Sequence, residues 1–264
     1  MAEEYELGGR RVTVFDLSDT LDNATSAFEP NPHSIQYVDH RQSVGMAAQM
    51  GIDAELWPDG LGWAVERVTL STHSGTHVDA PYHYGPTSSG QPARTIENVP
   101  LRWCYSDGVV LDMTHKDRRE GISSQDVERE LDRIGYALEP FDIVLVRTDT
   151  WKRFREPGYD RRHAGLRLSA TRWLVERGVR LIGIDAWGID RAFDVLQQDA
   201  IRGEATFWES HLYGREREYS QIERLAHLDE LPRPFGFRVA AFPVRLATAS
   251  AGWARVVAIF EEPA

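Results

Sequence analysis

Gly108-Val-Val-Leu-Asp-Met113, then Ser123-Ser-Gln-Asp126 with Val127, Leu131 and Ile134 behind it, then Phe141-Asp-Ile-Val-Leu-Val-Arg147: this stretch decides the fold. Its two ends are short apolar runs of the buried-strand kind. Between them, Ser123 to Asp126 resembles a capping box, and apolar residues at i, i+4 and i+7 lead to Gly135, which predicts a helix with a defined start and stop. The alternation continues with a helix over residues 169–177, stopped by Gly178, and a third apolar run, Val179-Arg-Leu-Ile-Gly-Ile-Asp185.

Outward from this centre the elements thin. Residues 11–17 are rich in β-branched side chains and predict a strand, and residues 24–36, with Pro30 and Pro32, predict a loop. Residues 38–50 are helix-compatible, with Gly51 as a stop, and residues 64–72 predict a strand. Pro86 to Pro92 has the composition of a flexible surface loop, a lid or a plain connector. Strands return at 237–242 and 254–260. Strands at both ends and alternation in the middle predict a mixed α/β fold. At 264 residues the chain is expected to form one domain over 1–264.

The net charge of -11 works against a phosphate-binding surface, so no nucleic-acid partner is expected. The basic patch from Trp151 to Arg167 is interrupted by Glu156 and Asp160 and reads as solvated surface or a subunit contact. A single cysteine, Cys104, excludes an intrachain disulfide and fits a reducing compartment, with the cytoplasm as the expected location. No apolar run reaches the length of a membrane span, and the first residues lack the apolar core of a secretory signal.

Three of nine histidines fall within eleven residues: His73-Ser-Gly-Thr-His77-Val-Asp79-Ala-Pro-Tyr-His83. His73, His77, Asp79 and His83 share parity, so an extended chain would direct them to one face. Fully extended, it would also hold His73 and His83 roughly 33 Å apart, so the chain must bend, and Gly75 and Pro81 are the residues that permit it. Two imidazoles and a carboxylate suit Zn²⁺ or Mn²⁺ with positions left open, the requirement for a catalytic ion that activates water. His83 is then available to shuttle protons. The remaining histidines, His33, His40, His115, His163 and His227, lack such neighbours and read as surface or structural.

The cluster resembles the HxGTHxDxPxH signature of the cyclase family, which includes kynurenine formamidase and isatin hydrolase; Phe15-Asp-Leu-Ser18, Ile182-Gly-Ile-Asp185 and the closing strands extend the resemblance. It implies a swivelling β/β/α fold with a mixed sheet, a homodimer or homotetramer, and hydrolysis of an amide, lactam or lactone in a small, aromatic or cyclic substrate. It also implies that His73, His77 and Asp79 bind one divalent metal, with His83 as the catalytic histidine. A second metal is implied at Asp79 with His211 and Glu223, which have the family's spacing of twelve. Trp63, Trp208 and Gln221 are candidate substrate contacts, drawn from a tryptophan set that also includes Trp57, Trp151 and Trp187.

Three other readings of the cluster stay open at this level. A hydrolase run in reverse closes a ring. His77, Asp79 and His211 imitate the facial triad of a non-haem iron oxygenase, although those enzymes favour all-β barrels and the triad leaves His73 and His83 without a role. A metal-binding protein without turnover would carry the same ligands.

Overall fold

The computed structural model describes residues 2–25 and 32–263. In chain order the first elements are β1 (Ala2–Leu7), β2 (Arg10–Asp16), β3 (Ser34–Val38), α1 (Gln42–Gln49), β4 (Val65–Thr69) and β5 (His77–Asp79). Next come α2 (Pro81–Tyr84), β6 (Thr87–Ser88), β7 (Gln91–Pro92), β8 (Tyr105–Asp112), α3 (Ser124–Ile134) and β9 (Ile143–Arg147). The chain continues with α4 (Leu168–Glu176), β10 (Leu181–Ile184), α5 (Phe193–Ile201), α6 (Glu209–Glu216) and β11 (Ser220–Glu223), and ends with β12 (Phe235–Ala240), β13 (Ala251–Trp253) and β14 (Val257–Pro263).

Ten strands form one mixed sheet in the order β1-β2-β14-β12-β8-β9-β10-β11-β5-β13. Its centre, β8 to β11, is parallel, and the flanks are antiparallel. Of the central strands, β9 and β10 are apolar in nearly every position because both faces are covered. Val109, Leu111, Val144, Val146, Ile182 and Ile184 pack under α3 and α4, whereas Val110, Ile143, Leu145 and Leu181 face a second core. That second core holds Phe237 and Phe260 from one flank together with Val78 and Ile222 from the other, so the sheet curls round it.

The expected helix start at Ser123 is a full capping box: Ser123 accepts from the Asp126 amide and Asp126 from the Ser123 amide, and Gly135 closes the helix at φ 69°. Several boundaries differ from expectation. Residues 26–31 of the expected 24–36 loop lie outside the described residues, but Ser34 to Gln36 belong to β3, paired with β4. The expected 38–50 helix begins only at Gln42, after the strand and an Asp39 turn that accepts the Arg41 and Gln42 amides. The 86–92 loop is a tight hairpin held to α6, with the Ser89 amide on Arg215 O and the Glu218 amide on Ser89 Oγ, which removes the lid reading. Among the described residues no helix is long and apolar enough to cross a membrane.

Candidate metal centre

β5 lies between β11 and β13, and the register sets Glu223 opposite His77 and Gln221 opposite Asp79. Alternation on β5 puts His77 and Asp79 on one face. Gly75, at φ 63°, makes the bend that returns His73 to that face. Pro81 acts differently from expectation: it opens the short helix α2 at a first-turn position, where its missing N–H costs nothing, and the turn brings His83 back over Asp79. α6 supplies His211 from the opposite side.

The Asp79 carboxylate, fully buried, is the hub. Its Oδ1 lies 2.9 Å from His73 Nδ1 and 3.3 Å from His77 Nε2, and its Oδ2 lies 3.9 Å from His83 Nε2 and 3.8 Å from His211 Nε2. Glu223 spans a similar gap, with Oε2 3.7 Å from His77 Nε2 and Oε1 3.6 Å from His211 Nε2. The five residues expected as metal ligands, and His83, expected as the catalytic histidine, are thus brought together.

Hydrogen bonds behind the ligands fix the tautomers. His77 Nδ1 donates to Gly75 O at 2.8 Å, and His211 Nδ1 donates to Asp190 Oδ2 at 2.6 Å, so each turns an Nε2 towards the carboxylates. His73 Nε2 is 3.1 Å from Ser250 Oγ. His77 Nε2 and both Asp79 oxygens are buried without an aligned hydrogen bond among the described residues. Buried acceptors facing acceptors suit a cation between them. Donors bound at roughly 2.0–2.2 Å round a tetrahedral ion stand about 3.4 Å apart, and two groups have all their donor atoms within 4.8 Å of one another: His73, Asp79 and His83, and His77, Asp79 and Glu223.

The protonation pattern agrees. Burial opposes charging His77, yet Asp79 and Glu223 outweigh it and raise its pKa. Burial and the neighbouring Asp79 raise Glu223, whereas Asp79 itself is held well below the usual carboxylate range, burial being overcome by His83, His77 and His73. Burial, then the adjacent imidazoles, bring His83 down to about 4 against the pull of Asp79, leaving it neutral near pH 7.

A cavity of about 440 Å³ opens onto this cluster, lined by His73, His83, His211 and Glu223, with Trp187, Phe193 and Trp208 as flat apolar walls. Trp208 stacks on His211 at 4.1 Å and 14°. Two expected substrate contacts are not on this wall. Trp63 packs on Trp57 at 5.4 Å, away from the cavity, and Gln221 is fully buried beneath Asp79, donating to Tyr219 Oη at 2.6 Å. His163, read as surface or structural, is buried with Nε2 2.7 Å from Asp190 O. Asp190 and Ser250 escaped the sequence reading, since a lone Asp and a lone Ser carry no spacing signal.

Together with the α/β fold, this donor set defines a metal-dependent hydrolase. The model of the Cyclase family matches residues 15–191, and the chain belongs to that family. The kynurenine formamidase of Paracidovorax citrulli (strain AAC00-1) is 30% identical over 193 residues, 73% of this chain and 78% of the relative. That of Erythrobacter litoralis (strain HTCC2594) is 28% identical over 193 residues, 73% and 76% of the two chains. An isatin hydrolase bound to the product analogue thioisatinate shares the fold with a TM-score of 0.73 at 20% identity, over 95% of this chain and 93% of that one. Isatin hydrolase A from Ralstonia solanacearum does so with a TM-score of 0.73 at 22% identity, over 94% and 92%.

Proposed function

We propose that the chain hydrolyses the C–N bond of an amide or lactam, or the equivalent bond of a lactone, in a small aromatic or cyclic substrate. One or two divalent ions, Zn²⁺ or Mn²⁺, would serve as cofactor. The observation that carries this reading is the buried Asp79 carboxylate, each oxygen of which faces two imidazole nitrogens at 2.9–3.9 Å at the base of an open cavity. His73, His77 and Asp79 Oδ1 would hold one ion; Asp79 Oδ2, His211 and Glu223 would hold a second. An ion there supplies an acidified water and a polarised carbonyl.

The chain's own residues do the rest. Neutral His83, on the cavity wall, accepts a proton from the attacking water at Nε2 and returns it to the leaving nitrogen, giving a carboxylate and an amine. Trp187, Phe193 and Trp208 offer planar surface to a ring and exclude water from one side. The names of the relatives favour formylated arylamines and fused lactams as substrates. A cytoplasmic location, on the grounds of the single cysteine, and assembly as a homodimer or homotetramer, on the grounds of the family resemblance, belong to the same proposal.

Metal analysis of the purified protein, run beside a hydrolysis panel of N-formylkynurenine, isatin, simple aryl amides and lactones, tests this reading. One or two ions per chain and turnover of at least one compound are expected, both lost in His73→Ala and Asp79→Ala. A protein without tightly bound divalent metal would overturn it.

A further inference from the structure

Glycine is among the poorest helix formers, so a glycine inside a short helix calls for a reason. Gly214 stands in α6, three residues beyond His211. A methyl group there would meet the Tyr84 ring, 2.7 Å from Cε2 and 2.9 Å from Cγ, closer than real side chains approach. Tyr84 has nowhere to go: it is fully buried, stacked on Tyr219 at 5.4 Å and set edge-on to His211 at 5.5 Å. Its carbonyl accepts from Arg215 Nε, and Ser88 Oγ donates to Gly214 O at 2.5 Å, so α2 and its following hairpin are sewn to the end of α6.

We infer that Tyr84 and Gly214 are positioning residues: the ring seated on the bare Cα sets the separation of α2 and α6, and hence of His83 and His211 around Asp79. The two imidazoles reach the same oxygen, Asp79 Oδ2, at 3.9 and 3.8 Å, one from each helix. A helix displaced by a few tenths of an ångström shifts the His211 ligand relative to Asp79 and to the His83 proton shuttle without touching any of them. The inference rests on the reading of Asp79 and His211 as metal ligands.

Calorimetric titration of the metal-stripped protein with Mn²⁺ tests it without needing a substrate. Gly214→Ala is expected to weaken Mn²⁺ binding about tenfold, the scale seen when support behind a ligand is disturbed. Its thermal midpoint is expected to fall, because overpacking the Tyr84 ring costs more than alanine gains in the helix, so affinity is read well below that midpoint. Tyr84→Phe keeps the ring and loses a hydroxyl that has no hydrogen bond among the described residues, so it is expected to bind like wild type. Gly214→Ala combined with Tyr84→Leu, which removes the overlapping ring, is expected to recover affinity relative to Gly214→Ala alone. Wild-type affinity in Gly214→Ala, or strictly multiplicative losses in the double variant, would overturn the inference. A wild-type protein that binds no Mn²⁺ or Zn²⁺ would overturn the metal reading beneath it.

Discussion

Asp190→Asn is the substitution whose effect follows most directly from the geometry. Asp190 is 2% exposed and accepts the Ser210 amide at 2.7 Å, the His211 amide at 3.1 Å and His211 Nδ1–H at 2.6 Å. A carboxylate accepts on both oxygens. Asparagine accepts on one and donates on the other, so at least one of these buried N–H groups would face another donor. Whichever way the amide turns, the charge-assisted bond that holds the His211 tautomer is weakened. Losing such a bond costs about 1.5–3 kcal/mol, and at ~1.4 kcal/mol per decade that is roughly 10–100-fold in metal affinity if it falls on the ligand. The same range is found when second partners of metal-bound histidines are removed. Competition titration with a chromogenic chelator reads the affinity directly, and a thermal scan of the metal-free protein reports the cost to the fold. Affinity within about twofold of wild type would refute the claim that Asp190 orients His211.

Other predictions separate the roles of neighbouring groups. His83→Ala is expected to lower kcat about 10²–10⁴-fold, the usual contribution of a general acid–base, while metal content stays at the wild-type value. Trp208→Ala is expected to raise KM, and Trp63→Ala to leave it unchanged, since only Trp208 is on the cavity wall; steady-state kinetics on any turned-over aryl amide decides this. Asp185 is pushed up to about 7 by burial, against hydrogen bonds from Thr148 and the Asp149 amide. A carboxyl raised in the folded state stabilises fully below its unfolded pKa of about 3.9, and that stability is lost as pH rises through 7. Thermal midpoints should therefore fall between about pH 4 and 7, and Asp185→Asn should flatten that slope.

The sequence was most legible where local chemistry and tertiary need coincide. The Ser123 capping box and the apolar runs at 108–113 and 141–147 read correctly because a helix start and a doubly covered strand each have a local signature. The histidine segment was legible for the same reason, its bend being encoded in Gly75. β11 was harder: Ser220-Gln-Ile-Glu223 is polar in three of four positions yet wholly buried. Its polar side chains serve the site and a tyrosine network, so no apolar pattern announces a strand. α6 is short and contains Gly214, whose purpose is a contact with a residue 130 positions earlier in the chain. β1, Ala2-Glu-Glu-Tyr-Glu-Leu7, is acidic and exposed throughout, so no buried face marks it, and its backbone pairing with β2 makes it a strand. Trp63 and Gln221 do not line the cavity, because residue type alone does not show which way a side chain faces.

The most direct measurement is a crystal structure of the protein grown with Mn²⁺ or Zn²⁺, with anomalous differences recorded at the metal edge. The account predicts a peak about 2.0–2.2 Å from His77 Nε2 and Asp79 Oδ1, with a ligand position left to water. Asp79 and His77 separated by ordinary solvent, with no anomalous signal at saturating metal, would contradict it.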